Sequence, residues 1–276
     1  MNKQNGRQAG FCCVQQQFTT SLTTTQWQGI EKLISVKRRS VWPLQVIVEA
    51  IFYVTKNGIV WRDLPGGFPP WQTTYWYFRK WATDDTWLLI ANELTMLARL
   101  KCEKDPLPTV AVVDSQSVKN SATATEQVGF DGGKLIKGRK RVVAVDTMGH
   151  VLWNTVQAAN LHDGKAGVLL WEQAQALNPL TERVGRVHAD GTFGGHFKEE
   201  LENVHGLEVI ITSAPIEHQP AEEKLVIHKW RWIVERTLAW LGNNRRLSRD
   251  YERTTLSAQT FIWIAHIRRT LKRLWH

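Results

Sequence analysis

The chain has 276 residues, 43% of them apolar and 22% charged, with a formal net charge of +9. That composition supports a sizeable core and excludes a disordered chain. No apolar run is long enough for a membrane helix, and Cys12, Cys13 and Cys102 form neither a disulfide framework nor a metal-ligand pattern.

Residues 1–25 are Gln- and Thr-rich, without periodicity and without a basic segment leading into an apolar one. They read as a loose tail with no secretory signal, and a cytosolic location is the expectation. Residues 26–100 read as helical. Trp27, Ile30, Leu33 and Ile34 recur at helical spacing, as do Leu44, Ile47, Val48, Ile51 and Phe52 after Pro43, with Gly58 as a stop. Leu64–Pro70 is a Pro/Gly loop, followed by helices over Trp71–Trp81 and Thr86–Leu100. Helix, tight loop, helix fits a DNA-binding helix-turn-helix and equally a small bundle; the ladder Trp71, Trp76, Trp81 fits packing better than base stacking.

Lys101–Pro108 is charged and Pro-containing, a plausible boundary before a second region, 108–276. There Val110–Val113 is a buried-strand run ending in Asp114; Arg141–Thr147 and Val151–Ala158 are two more strands joined by a short turn. A helix over Asp163–Leu177, a fourth strand Val184–Asp190, a short helix Phe197–Val204 and a strand Leu207–Thr212 follow. Helices over Ile227–Leu241 and Phe261–Trp275 close the chain. A meander followed by alternating units implies an α/β fold with a mixed sheet flanked by helices.

Crossover rules allow the fourth strand to lie beside the first, so Asp114 and Asp190 would project from the same end of neighbouring strands. Glu235 lies on the next long helix. Two Asp and a Glu without Cys or His form a hard-oxygen set suited to Mg²⁺ or Mn²⁺. Singly, each has a structural reading: an Asp at a strand end caps a turn, and Glu235 is four residues from Arg231. Asp131, Asp146, Asp163 and Glu199 are rivals that spacing does not eliminate. Positive charge is concentrated late, with eleven Lys/Arg against three acids from Lys229 to His276. A polyanion partner and a solvated basic helix are both consistent with that segment. Gly138 within Lys137-Gly138-Arg139-Lys140-Arg141 could approach a DNA backbone, and the run could equally be a solvated loop.

Several stretches match a known family. Val112-Val113-Asp114-Ser115-Gln116-Ser117-Val118-Lys119, Ala189-Asp190-Gly191 and Val234-Glu235-Arg236-Thr237 do so in the second region. Trp61-Arg62-Asp63-Leu64-Pro65 and Tyr77-Phe78-Arg79-Lys80-Trp81 do so in the first. The chain thereby resembles bacterial insertion-sequence DDE transposases of the insertion-sequence-five type, from about Thr20 to His276.

The resemblance implies a ribonuclease-H-like core whose catalytic, metal-holding triad is Asp114, Asp190 and Glu235, with two Mg²⁺ ions for which Mn²⁺ substitutes. It implies binding to terminal inverted repeats by the helical region, cleavage at the element's ends and attack of the freed 3′-hydroxyl on target DNA by a dimer or larger assembly. An inactive DNA-binding descendant and a nuclease without strand transfer are the alternatives. Related families carry Tyr-x2-Arg-x3-Glu-x6-Lys around the Glu; this chain has His228, Arg231, Glu235 and Gly242 there. Arg245 or Arg246 is then the candidate for the role of the missing Lys. The candidate DNA contacts are Lys119, Lys137, Arg139, Lys140, Arg231, Arg245, Arg246 and Arg249, within a basic tail 245–273.

Overall fold

The computed structural model describes residues 18–36, 40–212 and 221–275, with the backbone alone for 221–229. Most of the expected loose tail, residues 1–17, lies outside the described residues. Phe18 is already packed: its ring stacks 4.5 Å from Phe68 and meets Tyr53 edge-on at 5.0 Å. Thr23 caps the first helix, α1 (Thr24–Glu31), in a reciprocal box with Gln26.

Helix α2 (Leu44–Asn57) starts after Pro43 and ends on Gly58, whose φ of 69° is the left-handed conformation that lacks penalty only without a Cβ. Helices α3 (Trp71–Thr83) and α4 (Thr86–Leu100) follow the Pro/Gly loop. The Trp ladder divides by burial: Trp81 is fully buried and meets Trp87 edge-on at 5.3 Å, whereas Trp76 is exposed.

The sheet comprises β1 (Val110–Lys119), β2 (Gly129–Asp131), β3 (Ile136–Val145), β4 (Val151–Ala158), β5 (Arg186–Asp190) and β6 (Glu208–Thr212). β3 pairs antiparallel with both β1 and β4; β5 pairs parallel with β1 and with β6. The order β4-β3-β1-β5-β6, three antiparallel strands and then two parallel ones, is the ribonuclease-H-like arrangement. The short β2 extends the β3 edge at Ile136–Gly138. Helix α5 (Asp163–Leu177) makes the crossover into β5, and α6 (His196–Asn203) the one into β6. Helix α7 (Ala221–Gly242) packs on β1 and β3, and α8 (Thr255–Leu274) on β4.

α8 also packs on α2, α3 and α4, and one continuous apolar cluster runs from Ile30 through the sheet to Leu274. The helical region and the sheet therefore share a core through α8. α4 is buried in that contact, which leaves the outer side of α3, with Tyr75 and Trp76, facing solvent.

Candidate active site

β1 does not stop at Asp114 but continues to Lys119, so the carboxylate sits in mid-strand. On one side β1 stays paired with β3, Asp114 opposite Val143. On the other, the pairing with β5 ends at Val113 opposite Ala189, and β5 itself ends at Asp190. A crevice opens where the two parallel strands part, as in other open sheets. α7 lies along it. Asp114, Asp190 and Glu235 line this one cleft together with His188, Thr212, Trp230, Arg231 and Val234. Its free volume of about 20 Å³ holds about one water-sized body.

The electrostatics set these carboxylates apart from their rivals. Burial, and then the like charges of Asp190 and Glu235, push the Asp114 carboxyl up to about 6; the Ser115 N–H, donating at 2.7 Å, pulls the other way. Among the described residues no cation is ion-paired with Asp114 or Asp190, and Glu235 has only Arg231, at 3.6 Å on a half-exposed helix face. The rivals are all accounted for by structure. Asp146 is buried, bound to Arg99 at 2.5 Å, and accepts from the N–H groups of Met148 and His150 to close the β3–β4 turn. Asp163 holds Lys140 at 2.5 Å and accepts from the Ser115 hydroxyl. Asp131 accepts from the Ser117 hydroxyl and from the backbone of Gly133 and Lys134. Glu199 is exposed in the first turn of α6.

Asp190 also fills the structural role expected of a strand-end Asp, accepting from the Thr192 N–H at 3.0 Å. Among the described residues no group of three or more His, Cys, Asp or Glu stands ready-made for a metal ion. Asp190 is turned onto Thr192 and Glu235 onto Arg231. The donor set nonetheless fits a divalent cation. It is oxygen-only, and burial together with the like charges of Asp190 and Glu235 raises the cost of ionising Asp114, a cost that a bound cation would relieve.

His188 is not anticipated by the sequence. Its ring stacks on Trp230 at 4.6 Å, both ring nitrogens lack partners, and burial holds its pKa below the usual value. It forms a neutral, apolar wall beside the acidic cleft; the only sequence signal is its place two residues before Asp190.

Three expected DNA contacts are corrected. Arg139 is completely buried, donating to the carbonyls of Glu126, Glu252 and Arg253 and pairing with Asp250 at 3.2 Å. Lys140 is buried on Asp163 and the Leu161 carbonyl. Arg246 is buried between Glu252, at 2.6 Å, and the Ile59 carbonyl. None of these can reach a phosphate without breaking a buried ion pair. Gly138 likewise faces protein: a Cβ there would lie 1.9 Å from the Val118 carbonyl oxygen, so the strand itself demands glycine. Lys119, Lys137, Arg245 and Arg249 are exposed and Arg231 half-exposed. Arg245 and Arg246 lie beyond the end of α7, on a 3-10 turn.

Two family models match the chain. Residues 105–271 match the family model described as "Transposase DDE domain". Residues 22–91 match the DUF4096 model, whose description assigns it provisionally to transposases of the IS4/5 family. Among solved structures, the catalytic core domain of BIV integrase is similar at 16% identity and a TM-score of 0.28, over 56% of this chain and 80% of that one. No match is found among the curated proteins.

Proposed function

The chain belongs to the DDE-domain transposases, and from that premise we propose that it binds the terminal inverted repeats of an insertion sequence, cuts at their ends and joins the freed 3′-hydroxyl to target DNA. The observation that carries this reading is the cleft at the β1–β5 parting. There, three carboxylates with weak or no cationic partners converge, while every rival carboxylate is neutralised or solvated.

Asp114, Asp190 and Glu235 would hold the divalent ions. Bound there, two Mg²⁺ ions, or Mn²⁺ in their place, supply Lewis-acid activation of the attacking oxygen and charge neutralisation at the leaving one. The protein's own contributions are positional. The sheet fixes Asp114 and Asp190 on adjacent strands, and α7 sets the third carboxylate across from them. Trp230 and His188 wall one side with apolar surface, which limits water to the small cleft. Arg231, beside Glu235, can bind a phosphate oxygen of the strand being cut, and exposed Lys119 and Lys137 another stretch of backbone. The helical region 26–100, exposing Tyr75 and Trp76, is the candidate for end recognition.

Two DNA ends must be cut and joined together, so the acting form is a dimer or larger. No described helix is long and apolar enough to cross a membrane, and a cytoplasmic, nucleoid-associated protein is the setting that this activity requires.

The test is cleavage of DNA bearing the element's own ends, wild type beside Asp190→Asn, in Mg²⁺, Mn²⁺ and EDTA. Metal-dependent cuts and a strand-transfer product, both lost in the variant, are expected. Cuts without a joined product would reduce the protein to a nuclease. End binding without cutting in either metal would leave a DNA-binding protein only.

A further inference from the structure

α7 presents a second functional face. On an ideal helix at 100° per residue, the positions lining the carboxylate cleft (Trp230, Arg231, Val234, Glu235) and the run Trp232, Arg236, Trp240 centre about 170° apart. The second face, with α8 and the end of α2, encloses an open cleft of about 650 Å³. Its cations are Lys56, Arg236, Arg268, Arg269, Lys272 and Arg273, and no Asp or Glu among the described residues lines it.

None of these six cations is in an ion pair among the described residues, in contrast to Arg99, Arg139 and Arg246. Arg236, Arg268 and Arg269 are instead held in place by aromatic rings and neutral oxygens. Arg236 lies over Trp232 and Trp240 at 4.2 and 4.4 Å, and Arg269 over the Trp240 ring at 3.2 Å. Arg268 donates to the Asn244 side chain and Arg269 to the Gly149 carbonyl. Nε of Arg236, Nε of Arg268 and an Nη of Arg269 are buried with no acceptor. Burial, and then the neighbouring Arg273 and Arg236, lower the Arg269 pKa to about 9; Asp146, already bound to Arg99, opposes this. Six like charges crowded into one cleft with no carboxylate lining it call for an anion with several oxygens.

We propose that this cleft is a phosphate site for the backbone of a DNA segment other than the one at the carboxylates. A duplex, whose major groove alone is about 12 Å wide, cannot lie against both faces of α7 at one point. The bound stretch is therefore either further along the same duplex or part of a second one. The inference rests on the proposed action on DNA, and the shared chemistry, a phosphate oxyanion, could also come from a free nucleotide or inorganic phosphate.

The test uses the full chain with Lys56→Gln, Lys272→Gln and Arg273→Gln combined, all at the cleft's rim, and Arg269→Gln as a second variant at its floor. Circular dichroism and thermal melting establish folding. Duplex affinity is then measured from 50 to 300 mM salt. For the triple variant a loss on the order of tenfold to a hundredfold at 100 mM salt is expected, with the salt slope shallower by about 0.9 for each phosphate no longer neutralised. Asp190→Asn should keep the wild-type slope. Wild-type affinity and slope in both folded cleft variants would overturn the proposal. So would thermal stabilisation by inorganic phosphate or a mononucleotide that the variants lose while duplex binding stays intact, since the source would then be a free anion. A wild-type chain that binds no DNA would instead refute the proposed function itself.

Discussion

Two charged regions of this protein obey opposite rules. In the first half of β3 and the turn after α7, Arg139, Arg141 and Arg246 are buried, yet each has partners: Asp250 and Glu252 neutralise two of them, and backbone carbonyls of Leu247 and Arg249 receive the Nη atoms of Arg141, leaving only its Nε without an acceptor. Around α7, like charges are gathered with little compensation, carboxylates on one face, where Arg231 alone pairs with Glu235, and guanidinium groups on the other. Ionised groups that a fold needs for itself come with partners, because a lone buried charge is costly. Charges left crowded with their own kind lower stability, and persist where something outside the chain completes them. The contrast separates scaffold from site more sharply than burial alone, since Asp114 is itself largely buried.

The largest effect expected is on chemistry. Asp190→Asn and Asp114→Asn should each reduce cleavage on the order of a thousandfold or more, with circular dichroism unchanged and end binding retained. Glu235→Gln should do the same. Full activity in any one of them would remove that residue from the site and blur the contrast with the paired region.

The paired region should respond in the opposite way. Arg139→Leu leaves Asp250 buried without its cation and three carbonyls without a donor. A loss of about 3–5 kcal/mol in urea unfolding is expected, enough to unfold a chain of ordinary stability. A folded Arg139→Leu protein with unchanged stability that had lost only DNA affinity would restore Arg139 to the interface.

Much of this frame is legible in the sequence, for identifiable reasons. The bounds of α4 and α5 coincide with the apolar periodicity, and His162 fixes the start of α5 by accepting from the Gly164 N–H. The sequence pattern ends β1 five residues short because Asp114-Ser115-Gln116 is polar. That polarity arises where β5 ends and the strand faces a crevice, a tertiary fact. The apolar spacing starts α8 at Phe261, yet Thr254 caps it seven residues earlier, accepting from the Ser257 N–H. Handedness rules bring Asp114 and Asp190 to neighbouring strands, and the family resemblance selects them with Glu235 from their rivals, whereas the fate of the arginines has no such signal. Arg139 reads as a surface residue beside Lys137, and its neutralising partner Asp250, with the carbonyls of Glu252 and Arg253, comes from more than a hundred residues later. Local sequence carries no trace of a partner that distant.

A third prediction concerns a region where neutrality, not pairing, is the solution. His150 and His266 are buried with rings 5.5 Å apart, near Arg99, Arg269 and Arg273. Burial brings the His150 pKa down to about 4, against the pull of Asp146, and holds that of His266 well below its usual value. Both are neutral when folded and titrate near 6.5 when unfolded. Their contribution is therefore complete above pH 6.5 and declines as pH falls toward about 4, because the unfolded chain takes up the protons first. For His150 alone the decline should reach about 2 kcal/mol by pH 5. Urea unfolding at pH 7.5, 6 and 5 measures it, and His150→Leu should flatten the profile. An unchanged profile in that variant would mean that His150 does not carry the dependence.

The smallest effect tests whether the surface cations act individually. Arg249 is exposed, and its side chain is in no ion pair among the described residues, although it sits only three residues from buried Arg246. Arg249→Gln should leave the melting temperature within about 1 °C, as surface changes of a few tenths of a kcal/mol do. It should reduce the salt slope of DNA binding by about 0.9, one phosphate contact. Arg246→Gln should behave in reverse, destabilising the fold through Glu252 and the Ile59 carbonyl. Two arginines of one short basic run would then fall on opposite sides of the division between scaffold and site. Partnership in the folded chain, and not the local density of positive charge, would be what sorts them. Equal effects of the two substitutions on stability would show that the division does not hold at the resolution of a single residue.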